Sequence, residues 1–240
     1  MSVFDQHAWA CRCEWGPGAV AALAPAGVVI VVDVLSFTTC VDVAASRGGA
    51  MLPYAWKDPS AVEFARTHGA ELAGRHHLAR YSLSASSFLD VQPGFRCVLP
   101  SPNGARVSLA AAESGAVVFA ACLRNARAVA AAAARAGASV NVVPAGERWA
   151  DGSLRPCLED WLGAGAVLAG LPGSRSPEAD AAVAVFERHR DSLASTIRQC
   201  SSGRELEEKG QLDDLVLASA LDVSACAPRF DGVAFVNQDR

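Results

Sequence analysis

Lysine is almost missing from this 240-residue chain, occurring only at Lys57 and Lys209, and the 21 Lys and Arg are outnumbered by 25 Asp and Glu. A net charge of −4 leaves no basic footprint for nucleic acid, so an anionic ligand has to be met by a local cluster. Neither lysine sits in Gly-x-x-x-x-Gly-Lys-(Ser/Thr), which excludes a P-loop. No Gly-x-Ser-x-Gly elbow is present either, which argues against an α/β-hydrolase. Also missing is any apolar run near the roughly 20 residues that cross a bilayer. The opening Met1-Ser-Val-Phe-Asp-Gln6 lacks the charged and apolar regions of a secretory signal. The expectation is a cytoplasmic protein without a membrane partner.

Disulfide and zinc signatures are lacking too. The eight cysteines are scattered through strand and helix candidates, in a chain large enough not to need staples, and read as reduced core thiols. Cys11-Arg-Cys13 has no second pair at zinc spacing; with Trp9 and Trp15 it reads as one face of a strand. His76-His77 is adjacent rather than helically spaced, so solvated loop histidines are the default.

What is present is an alternation of strands and helices. Gly27-Val-Val-Ile-Val-Val-Asp33 is an unbroken β-branched run, as expected of a strand buried on both faces, and it ends in a lone carboxylate. Arg96–Pro100 leads into Ser101-Pro-Asn103-Gly104-Ala-Arg106. Ala116–Cys122 leads into Asn125 and an Ala-rich helix, and Ser139–Val143 into Pro144-Ala-Gly146-Glu147. Parallel sheets open their ligand crevice at the carboxyl ends of their strands. Four strand ends would thus bring Asp33, Asn103, Asn125 and Glu147 to one edge, if the strands are parallel neighbours. A helix starting near Cys157 carries Glu159 and Asp160; Asp58-Pro59 and Ser176-Pro177 mark further helix starts. Residues 75–87 and 148–155 read as loops, the first over the crevice. The fold expected is α/β, three-layer α/β/α with a mainly parallel sheet, as one domain over 1–240 or two closely packed lobes.

Asp33-Val-Leu-Ser-Phe-Thr38-Thr39, Asn103-Gly104, Asn125, Ala145-Gly-Glu147, Glu159-Asp160 before Gly163-Ala-Gly165, and the tail Ser202-Gly-Arg204-Glu-Leu206, Asp213-Asp214 and Asp222 occur in a telling order. Together they resemble the 2-phosphosulfolactate phosphatase (ComB-like) family, from about Cys13 to Pro228. The resemblance implies a magnesium-dependent hydrolase of phosphate monoesters on 2-hydroxy acids, the family reaction being 2-phospho-3-sulfolactate to 3-sulfolactate and phosphate. It also implies a link to coenzyme M precursors. Departures are visible. Ser36 stands where the family pattern has arginine, Arg75 where glutamate is usual, Ser84-Ala-Ser-Ser87 replaces Gly-Asn-Ser-Pro, and Ser101-Pro102 and Ala105 replace threonines. Losing a guanidinium weakens bidentate anion recognition unless Arg75, His76, His77, Arg80 or Arg106 supplies the charge.

The chemistry assigns roles. Phosphate-ester hydrolysis needs charge neutralisation, an oriented nucleophile and help for the leaving oxygen. Asp33, Asn103 and Glu147 are the catalytic candidates, and Asp33, Glu147 and Asp160 the expected magnesium ligands. Thr38, Thr39, Asn125, Arg80 and Arg106 are expected to contact a small anionic phosphorylated substrate. A homo-oligomer is compatible with the chain. The alternative is a catalytically reduced metabolite-binding or sensor protein that keeps the phosphatase fold.

Overall fold

A computed structural model describes residues 2–56 and 58–238; Lys57 lies outside them. Among the described residues eleven strands are formed: β1 (Cys11–Cys13), β2 (Val28–Val32), β3 (Ala50–Tyr54), β4 (Glu71–Leu72), β5 (Arg96–Pro100), β6 (Val117–Ala121), β7 (Val140–Pro144), β8 (Glu147–Arg148), β9 (Leu154–Arg155), β10 (Pro228–Phe230) and β11 (Phe235–Asn237). Nine of them make one sheet in the order β1-β7-β2-β6-β10-β11-β3-β5-β4, while β8 and β9 pair as a separate hairpin. Pairing is parallel within β1-β7-β2-β6 and within β3-β5-β4. Between these blocks sits the antiparallel hairpin β10–β11, joined to β6 through Arg229–Phe119 and to β3 through Phe235–Met51. The mainly parallel α/β architecture expected from the strand–helix alternation is the one observed, although β5 lies in the other block from β2, β6 and β7.

The apolar run of β2 is buried on both faces, as its composition requires. Val28, Ile30 and Val32 pack beneath helices Ala126–Ala136 and Leu158–Gly170, while Val29 and Val31 face helices Phe37–Ala45 and Gly104–Glu113. Cys11 and Cys13 point together into the first layer, as the alternation predicted. Arg12, on the opposite face, is also buried, and it donates to the carbonyls of Trp9 and Ala24. Among the described residues every cysteine is free. Ser176 caps its helix by accepting the Ala179 N–H, with Pro177 at the first helical position. No described helix is long and apolar enough to cross a membrane.

Candidate active site

The chain leaves β2 through residues 33–36 and enters the helix at Phe37. Asp33, only 5% exposed, is clamped by two backbone amides: Oδ1 accepts the Phe37 N–H at 3.1 Å and Oδ2 accepts the Gly104 N–H at 2.9 Å. The second bond ties the carboxyl end of β2 to that of β5. Residue 104 has to be glycine for this approach, because a Cβ would lie 2.6 Å from both Asp33 Oδ2 and the Phe37 ring. Asp160, in the first turn of its helix and 4% exposed, is held in the same manner. Its Oδ1 accepts the Val34 N–H at 2.7 Å and its Oδ2 the Gly146 N–H at 2.9 Å. Gly146 presents that amide from a left-handed conformation, φ +64°, that other residues rarely adopt.

Each carboxylate oxygen spends one acceptor site on an amide and keeps another. Burial raises the Asp33 pKa to about 6; the two amides oppose the rise, and the charges of Glu147 and Glu159 add to it. Asp160 is pushed well above the usual carboxylate range, first by burial and then by the charges of Asp33 and Glu159. These two acids therefore compete for negative charge at one spot.

Both line a cavity of about 860 Å³, with Ser36, Arg75, His76, Asn103, Glu147, Arg155, Glu159, Ser202, Glu205 and Lys209 among its walls. Glu147 Oε1 accepts from Asn103 Nδ2 at 2.9 Å and from the Arg148 N–H at 2.8 Å, so Asn103 fixes the carboxylate's direction. Asp33, Asn103, Glu147 and Asp160 thus share one cavity. Sequence reasoning passed over Arg155 and Lys209. Arg155 ends the β8–β9 hairpin, lies over Trp149 at 5.8 Å and donates to Ser202 Oγ at 3.3 Å. The only sequence signal for it was the loop that follows Glu147.

The other expected contact residues lie outside the cavity lining. Thr38 Oγ1 donates to the Asp33 carbonyl and accepts its N–H, Thr39 Oγ1 donates to the Val34 carbonyl, and both residues are buried. Asn125, fully buried, accepts the Cys122 N–H and donates to the Ala120 carbonyl. These three side chains hold backbone and do not line the cavity. Arg80 is exposed over Tyr81, outside the cavity wall, and Arg106 lies over Trp56 and faces a smaller neighbouring pocket. The Ser84–Ser87 segment braces Asp214, which accepts from Ser84 Oγ at 2.6 Å and the Ser86 N–H at 2.8 Å. Among the described residues no three acidic, histidine or cysteine side chains converge as a metal cage. The expected triad of Asp33, Glu147 and Asp160 is therefore not assembled as one ligand set, because Glu147 is turned towards Asn103 and the Arg148 amide.

The profile of the 2-phosphosulpholactate phosphatase family matches residues 20–232, a span that includes every cavity-lining residue named above. The chain belongs to this family. Among family relatives, a 2-phosphosulfolactate phosphatase from Methanothermobacter thermautotrophicus is 30% identical over 204 residues, covering 84% of this chain and 86% of that protein. A protein named probable 2-phosphosulfolactate phosphatase, from Gloeobacter violaceus, is 39% identical over 72 residues, 30% of either chain.

Proposed function

We propose that this family member hydrolyses a phosphate monoester of a small 2-hydroxy acid, 2-phosphosulfolactate or a related ester, with magnesium held by Asp33 and Asp160. The observation that carries this reading is the pair of buried, amide-clamped carboxylates lining one cavity, both with pKa values raised first by burial. Magnesium takes one or two carboxylates and fills its remaining positions with water and phosphate oxygens, so a two-carboxylate floor suits it without a protein cage. The charge count points the same way. Six acids in the cavity wall (Asp33, Asp58, Glu147, Glu159, Asp160 and Glu205) face three cations (Arg75, Arg155 and Lys209), a balance that repels a phosphate dianion. When bound, the cation supplies charge neutralisation at the phosphoryl oxygens.

The chain's own groups do the rest. Arg155, Lys209 and Arg75 are the positive groups of the wall that meet the anion, Lys209 also pairing with Glu205. Glu147, oriented by Asn103, accepts the proton of the attacking water, its Oε2 being clear of the two bonds that fix Oε1. Burial of the Asp33–Asp160 floor excludes bulk water and strengthens each electrostatic term there.

A phosphate-release assay on 2-phosphosulfolactate and other phosphorylated 2-hydroxy acids tests this. Chelation should abolish release and magnesium restore it, and Asp33→Asn should lose at least about a hundredfold in kcat while remaining folded. Full turnover in excess chelator would remove the metal. Binding of these esters with no phosphate release under magnesium would overturn the hydrolase reading in favour of a metabolite-binding protein.

A further inference from the structure

Beside the main cavity lies a second pocket of about 310 Å³, walled by Trp15, Arg106, Arg148 and Leu154. It shares Asn103 and Glu147 with the main cavity, so the Asn103–Glu147 hydrogen bond stands at their common wall. The two compartments have opposite character. The large one has six acids to three cations; the small one has two arginines to the single shared carboxylate. Arg106 is held by the face of Trp56 at 5.3 Å, and Arg148 donates from its Nη1 to the Gly152 carbonyl at 2.9 Å. The Nε of Arg148 is buried without a hydrogen-bond partner. A buried guanidinium N–H with no acceptor is costly, and a ligand oxygen is the group that would satisfy it.

We propose that this pocket seats a non-reacting anion of the substrate, its sulfonate or its carboxylate, while the phosphate ester lies over Asp33 and Asp160. The assignment rests on the hydrolase reading above and adds to it the residues that select the substrate's tail. Only a short ligand fits this arrangement, since Asn103 walls the second pocket while its neighbour Gly104 bonds the Asp33 carboxylate.

The test compares kcat/KM for 2-phosphosulfolactate with that for isopropyl phosphate, whose tail is uncharged, in the parent, Arg148→Met, Arg106→Met and Arg148→Lys. The preference for the charged tail should fall at least about tenfold in each Met variant, mainly through KM, and recover in part in Arg148→Lys. An equal loss on both esters, or no change in the ratio, overturns the tail assignment while phosphate release itself leaves the hydrolase reading standing. Should no ester be turned over, calorimetric titration with 3-sulfolactate still decides: tenfold weaker binding in the Met variants supports the pocket, and equal binding refutes it. Titration with inorganic phosphate separates the remaining source. Variants that lose phosphate affinity but keep 3-sulfolactate affinity would make this a free-phosphate site and overturn the assignment.

Discussion

At the scale of single residues, Asp33 gives the protein a dependence on acidity whose sign can be worked out. Its folded pKa of about 6 lies above the ordinary 3.8, so the folded state binds the extra proton. The resulting stabilisation is complete below the ordinary value and is lost as pH rises through the folded one. Without magnesium, the Asp33 contribution should raise the melting temperature by about 2–3 °C between pH 7.5 and 5.5, a rise that Asp33→Asn should reduce. Magnesium competes with the same proton, so its affinity should increase over that window as pH goes up, measurable by calorimetry. Gly104 is the second residue whose replacement is readily forecast. Gly104→Ala puts a methyl into the Asp33 carboxylate and the Phe37 ring. We expect about 1–3 kcal/mol of destabilisation in urea melts, with activity falling further than the stability loss explains.

Among the elements, helices Leu158–Gly170 and Pro177–His189 approach so closely at Gly165 that an added Cβ would run into the Ala182 carbonyl. Gly165→Ala should cost about 2–3 kcal/mol by denaturant titration. Because Asp160 rides on the first of these helices, that variant should also weaken the site. Elements with a long apolar signature were legible in the sequence: β2, β5, β6 and β7, and the helices opened by Ser176-Pro177 and near Cys157. Short ones were not. β10 and β11 have three residues each, too few for a period to show, and the two-residue strands of the β8–β9 hairpin read simply as loop. Site residues divided along similar lines. Asp33, Asn103, Glu147 and Asp160 come to one cavity because strand ends and helix starts deliver them. Thr38, Thr39 and Asn125 look the same in sequence whether they bind a ligand or local backbone, and here backbone takes them. Arg155 and Lys209 reach the cavity through tertiary folding that no local pattern announces.

For the molecule as a whole, the hairpin β10–β11 is what makes one sheet of two parallel blocks. Phe235, fully buried, lies 6.3 Å from the ring of Phe37, the residue whose amide holds Asp33. Ending the chain after Cys226 should therefore yield a protein that neither melts cooperatively nor turns over substrate. Circular dichroism melts and the phosphate assay would check this; a soluble, active truncation would contradict it. In the order of synthesis, β10 and β11 leave the ribosome after every other strand of the sheet. Until they arrive, β3 and β6 each present an unpaired edge to the cell, a state open to wrong partners and to chaperones. The centre of the sheet is thus its last part to be made, and a nascent chain stalled short of the hairpin would leave Phe37, whose amide holds Asp33, without the Phe235 ring against it.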